Sequence, residues 1–348
     1  MKKILVVCVA VLLPCFLVSA QEADDTGTGV GLSVIPRLDL SPEYSDGSGQ
    51  FTLGNSSLYS LFEGDITERL SVSVCNHWLS SSPKELYKIE GEGANFLRSD
   101  WTNWLDWAYL TYSIGNFSFS FGKDMVTVGG LEFDDYDFEV HTPLCSSLWQ
   151  NFSCYQWGGK FGYTTPSEST YVGLQVTTSP YGERPFQSGL YNYSLEWRGN
   201  YFDWLENIWS ITLVDNGDES LSFFGRHMPL LSLGQRVTLG DWAVGLDYFN
   251  KVGSEETILT DGTTLMPSIL WSPSEKLELL AKAGYESRKA PMDPASLTAG
   301  YFAGGAIHWF PLKDSRDLRL HASGAYNSLF KTYTLTVGAL YYINLFGK

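Results

Sequence analysis

The chain is predicted to be all-β, a transmembrane antiparallel β-barrel of about 16 strands with short periplasmic turns and long outer loops. Three observations lead there. Segment after segment alternates apolar and polar residues with a period of two. The connections between segments alternate short and long, which a barrel with two unlike ends explains and a soluble sandwich does not. Finally, the 348 residues are rich in aromatics, with 12 Trp, 20 Tyr and 20 Phe, and several Trp and Tyr fall near strand ends, where two membrane–water interfaces would lie.

Residues 1–20 are read as a signal peptide and residues 21–348 as the barrel. Lys2 and Lys3 precede an apolar core, Ile4–Val18, and a small-residue cleavage site, Val18-Ser19-Ala20. About 15 apolar residues are too few for a bilayer core of roughly 30 Å. Removing Lys2 and Lys3 leaves 21 basic against 39 acidic residues, a formal charge of −18. That balance disfavours nucleic acid or an anionic lipid surface as a partner. Three cysteines remain: Cys75, Cys145 and Cys154. An odd number in an oxidising compartment allows one disulfide, for which Cys145 and Cys154 are the candidates, or three reduced small hydrophobes.

The strands follow in order. Val30–Leu40 opens the sheet, and Ser41–Ser57 connects it to Leu58–Ile66. The tight Thr67-Glu68-Arg69 leads into Leu70–Trp78. Beyond the long Leu79–Trp104 connection, Leu105–Ile114 and Phe117–Gly122 meet at Gly115-Asn116, a hairpin signal. Lys123–Cys154 is the next long segment, before Tyr155–Tyr163 and Thr170–Thr178, joined by TTPSES. Leu190–Arg198 and Trp204–Leu213 are joined by GNYFD, and Leu230–Leu239 and Trp242–Asn250 by Gly240-Asp241. Leu265–Trp271 and Leu277–Tyr285 meet across SPSEK, and Tyr301–Phe310 and Leu318–Ala325 across PLKDSRD. Thr332–Phe346 closes the series and is expected to pair with Val30–Leu40, because lipid cannot hydrogen-bond an open sheet edge.

The faces agree with this arrangement. In the last strand Tyr333, Leu335, Val337, Ala339, Tyr341, Ile343 and Leu345 share one side, with Thr332, Thr334, Thr336 and Gly338 on the other. Trp78, Trp107, Trp157, Trp197, Trp242, Trp271, Trp309 and Tyr341 are expected in the interfacial girdles. A ring of this size leaves a lumen too wide for its own side chains to fill.

The terminal LYYINLF, the stretch SFSFGKDMVTVGGLEFDDYDFEV (Ser118–Val140) and GGKFGY (Gly158–Tyr163) resemble a Gram-negative outer-membrane porin, similar to the phosphate-selective-porin-like β-barrel families. The resemblance implies a passive diffusion channel in the outer membrane for small hydrophilic solutes or ions. It also implies a homotrimer, delivered by the barrel insertion machinery and embedded in outer-membrane lipid. Phosphate selectivity is not carried over, because the chain is acidic and poor in arginine. In such proteins the third long loop, here Lys123–Cys154, folds inward and sets the bore.

That loop carries Glu132, Asp134, Asp135, Asp137 and Glu139, beside Gly129-Gly130 for a bend. Alternation sends Arg37, Arg198, Arg236, Lys282 and Arg319 to the lumen wall. An acidic loop opposite a basic wall would set a transverse field across a constriction. The alternatives are a solvated acidic loop on the cell surface, or a Ca²⁺ site, although the spacing lacks the glycine and distal glutamate of an EF-hand. No other cofactor is expected. The five histidines, His77, His141, His227, His308 and His321, stand apart in sequence without zinc spacing. No catalytic motif of the G-x-S-x-G or P-loop type occurs, so no enzymatic activity is expected. The competing non-enzymatic reading is a surface scaffold or adhesin built on the same barrel without an open channel.

Overall fold

The computed structural model describes residues 29–45, 47–80, 105–182, 185–215, 217, 227–251, 262–287 and 299–347. The signal peptide and the Leu79–Trp104 loop expected from sequence fall outside them, apart from the end of one strand. The elements are β1 (Gly29–Ser45), β2 (Ser48–Thr52), β3 (Ser57–Thr67), β4 (Leu70–Ser80), β5 (Leu105–Ile114) and β6 (Phe117–Met125). Then come β7 (Tyr155–Thr164), β8 (Thr170–Thr178), β9 (Tyr191–Phe202), β10 (Leu205–Asp215), β11 (His227–Leu239) and β12 (Trp242–Lys251). The last six are β13 (Thr263–Ser274), β14 (Leu277–Glu286), β15 (Gly300–Trp309), β16 (Leu318–Asn327), β17 (Thr332–Tyr341) and β18 (Ile343–Phe346).

From β3 to β17 sequential neighbours pair antiparallel, and the ring closes where β1 pairs with both β3 and β17. Arg37 lies opposite Leu340 and Leu40 opposite Val337, the expected seam. The result is a closed barrel of 16 staves. β18 prolongs β17 past Tyr342, and β2 folds back on the end of β1. The closure leaves no edge whose backbone groups would have to be buried unbonded in hydrocarbon, at several kcal/mol each. The predicted Ser41–Ser57 connection is corrected here: β1 runs on to Ser45 and forms a hairpin with β2.

Each stave is inside-out relative to a soluble protein. Along β9, Asn192, Ser194 and Glu196 are buried while Tyr193, Leu195 and Trp197 are exposed. Along β17, Thr334 and Thr336 are buried while Leu335 and Val337 are more than 60% exposed. Leu110, Phe121, Leu174, Val244, Ile269 and Ile307 continue the apolar exterior around the ring. So large an unbroken apolar surface has lipid as its matching solvent. Stacked Trp242 and Trp271 mark the turn end of the wall, and Tyr326 against Tyr333 marks the loop end. Trp107 departs from the girdle expected of it. It pairs across the sheet with Cys75 on the inner face, is buried, and donates its indole N–H to Ser73 Oγ at 2.7 Å. An extra residue in β5 beside Cys75 and Asn76 shifts the register there. Among the described residues no helix is long and apolar enough to cross a membrane.

Candidate functional site: the lumen and its inner loop

The chain leaves the wall after Met125 and returns at Tyr155, and everything between lies inside the barrel. A Val126 N–H to Cys154 carbonyl bond of 2.7 Å ties the two stems together. Gln175 on β8 holds the entry from both sides, accepting from Thr127 N and donating to the Met125 carbonyl. Ser210 and Thr212 on β10 donate to the carbonyls of Val128 and Thr127.

The bend expected at Gly129-Gly130 is present, with φ of +75° and +81°, a region costly for residues bearing a Cβ. The loop backbone also presses against β11 at Gly234, where a Cβ would come within 2.7 Å of Gly130 Cα. Just past the bend, the Asp247 carboxylate on β12 accepts from Leu131 N at 2.6 Å and Glu132 N at 3.1 Å.

The candidate residues then meet. Glu132, buried, is bonded to Lys282 Nζ at 2.8 Å and receives Ser146 N at 2.9 Å as well as the Ser146 hydroxyl. Asp134 pairs with Arg198 at 2.6 Å, and Glu196 holds the same guanidinium. Arg37, paired with Asp39 at 2.9 Å, donates to the carbonyls of Phe138 and Val140, both at 2.7 Å. Arg319 donates to the Glu139 carbonyl at 3.0 Å, while the Glu139 carboxylate accepts the Tyr342 hydroxyl. Arg236 pairs with Glu206 on β10 instead, at 3.0 Å. Asp137 lies close enough to the His77–Asp106 pair to act on it electrostatically.

Four of the five wall cations therefore fasten the loop directly. Two facing rows separated by a gap are not what forms; much of the charge is drawn into contact pairs. Glu132, Asp134 and Glu139 turn to different partners while Asp135 faces the open lumen, and among the described residues no three His, Cys, Asp or Glu side chains converge on a metal position. The Cys145–Cys154 disulfide is also corrected. Both are thiols buried in one apolar cluster, and Cys145 Sγ donates to the His141 carbonyl at 3.4 Å. They serve as small hydrophobes.

Two apolar clusters complete the docking. One joins Val126, Val128, Phe133, Leu148, Trp149 and Phe152 of the loop to Val214, Met228, Leu230, Phe249, Met266 and Phe302 of the wall. These wall residues sit toward the strand ends served by the long connections. A 3-10 turn, Thr142–Leu144, and a single helical turn, Ser147–Asn151, carry the loop's share. The Ser146 hydroxyl caps that turn, accepting from Trp149 N at 3.1 Å. The other cluster sets Phe138 among Ile35, Tyr59, Leu61 and Trp107, with Tyr136 stacked on Trp107 at 5.6 Å.

Histidines separated in sequence come together here. His141 Nε2 lies 2.9 Å from His308 Nε2, and the rings of His141 and His321 meet edge-on at 5.2 Å. His321 Nε2 is bonded to Asp39 at 2.9 Å. Burial and the Arg37 charge hold His141 well below the usual imidazole range, so it is neutral and one N–H is shared between the two Nε2 atoms. Two of the three histidines were readable in advance, because the β15–β16 register sets His308 opposite His321.

Between the underside of the loop and the wall from β11 to β17 lies a cavity of about 930 Å³. It reaches Asp241 and Asp317 at the turn end, and Asp135 faces it, exposed. Although its surface is open to the lumen, the enclosing protein desolvates the Asp135 carboxylate, and this, followed by the neighbouring Glu139 carboxylate, pushes it up to about 6. The cavity is lined by ionic groups set among apolar side chains, and it is large enough for water and small solutes.

No family model matches the chain, and no curated protein matches it. Solved structures do. The outer membrane channel DcaP of Acinetobacter baumannii is similar with a TM-score of 0.59 at 11% identity, covering 93% of this chain and 100% of that one. A mutant of the Rh. blastica porin gives 0.59 at 12% identity, covering 90% and 100%. OmpT, an outer membrane protein of Vibrio cholerae, gives 0.54 at 13% identity, covering 93% and 99%. The likeness is one of fold: an outer-membrane type of β-barrel, matched over nearly its whole length.

Proposed function

We propose that this chain is a porin of the Gram-negative outer membrane, a passive diffusion channel for small hydrophilic solutes or ions that performs no covalent chemistry. The observation that carries this reading is the ionic cavity of about 930 Å³ inside a sealed ring whose exterior is apolar. A hydrated, charge-lined lumen lowers the cost of moving a polar solute past the hydrocarbon layer. The fold shared with DcaP and the Rh. blastica porin supports the same reading. We further propose assembly as a homotrimer, and delivery by the barrel insertion machinery through the terminal strand ending at Phe346.

Purified protein in planar lipid bilayers should give stepwise, ohmic conductance. The packed apolar cluster at the long-loop end favours one other reading, a closed barrel acting as a surface scaffold or adhesin. A barrel that inserts, needs detergent for extraction and never conducts would select that alternative. Chemical cross-linking in detergent tests the trimer.

A further inference from the structure

Four cationic side chains line the cavity under the loop, and each is met by an oxygen. Lys282 has Glu132 at 2.8 Å, Arg236 has Glu206 at 3.0 Å and Arg316 has Glu278, while Arg319 has the Glu139 carbonyl at 3.0 Å. The carboxylates are not matched in return. Asp135, Glu139, Asp241 and Asp317 line the same cavity, and none forms an ion pair among the described residues. Seven acidic side chains face four basic ones, a formal excess of three negative charges with the histidines neutral. Apolar wall positions such as Leu270, Leu280 and Leu340 lie among them and keep the field within the water-filled space rather than dispersing it.

We propose that the lumen selects small cations over anions, with Asp135 and Glu139 setting the preference beneath the loop and Asp241 and Asp317 at the turn-end mouth. This rests on the channel reading and names the charge of what passes. Two of the four carboxylates sit on the loop and two at the turn end, so a cation meets attraction at both levels of its path. An anion meets guanidinium and ammonium groups already engaged by oxygen. At about 7 Å through water, one uncompensated charge changes the relative ease of entry of K⁺ and Cl⁻ by about threefold in each direction.

The experiment is the reversal potential of the full chain in planar bilayers under a KCl gradient. The expected K⁺ to Cl⁻ permeability ratio is about threefold or more. Asp135→Asn combined with Glu139→Gln should cut it by at least about twofold while conductance steps persist. Steps that favour Cl⁻, or a ratio the double variant leaves unchanged, would overturn the proposal and leave the channel reading standing. A complete absence of steps would overturn the channel reading, and the selectivity with it.

Discussion

The two ends of the lumen are built for opposite solvents. Toward the long connections, Val214, Met228, Leu230, Phe249, Met266 and Phe302 turn apolar side chains inward, and the loop covers them with Leu148, Trp149 and Phe152. Toward the tight turns, the wall carries Arg236, Ser272 and Glu278 around open space. The same alternation of residues produced both, since inward positions are set by the period of two and not by polarity. What differs is whether the loop lies on them. Where it does, the inner wall behaves as the core of a globular protein; where it does not, it behaves as a wet surface. An inserted loop therefore needs apolar wall only along its own footprint.

The strongest way to break that contrast is to remove packing from the dry end. Phe152→Ala empties a fully buried position and should destabilise the folded protein by about 3–5 kcal/mol, read from denaturant unfolding in detergent. A change of a few tenths would show that the loop end is not packed as a core. Next comes the boundary between the two regions. Lys282→Met leaves the Glu132 carboxylate, only 1% exposed, without its cation, at a cost of about 3 kcal/mol. Adding Glu132→Gln should recover much of the loss, and a purely additive double variant would deny the coupling.

Gly130→Ala tests the bend that aims the loop. With φ of +81° and Phe249 within 2.8 Å of a new Cβ, the expected cost is about 1–2 kcal/mol, visible as faster proteolysis of the loop. The smallest effect belongs to the wet end. Lowering the pH from neutrality through about 6 protonates Asp135, so the cation preference should fall by about twofold or less, and Asp135→Asn should flatten that titration. The sign for stability is opposite to that of a salt-bridged carboxylate. With its folded pKa raised above the ordinary 3.8, Asp135 favours the folded protein in acid, and that contribution is lost as the pH rises through about 6.

Most staves were legible because their information is local. Alternation in Leu190–Arg198 or Leu318–Ala325 needs no knowledge of distant residues, and hairpins such as Gly115-Asn116 fix their own register. The loop was legible in composition but not in pairing. Glu132 and Lys282 are 150 positions apart, and nothing along the chain says that they touch. Trp107 was misplaced because alternation cannot anticipate an irregular register at Asn76. β2 was missed because its five residues pair only with the overhanging end of β1 and are exposed along nearly their whole length, so no alternation marks them. His141 could not be joined to His308 and His321 without knowing how far the loop reaches across.

The bond that ties Val126 to Cys154 has an architectural corollary. The insert enters and leaves through β6 and β7, which pair directly from Phe117–Tyr163 to Met125–Tyr155, so the wall is already continuous behind it. It behaves as an interchangeable fitting hung from one doorway: its contents can be rewritten, shortened or lengthened without breaking the hoop of hydrogen bonds around it. The bore of such a protein can thus diverge between lineages while the cylinder that crosses the lipid stays the same.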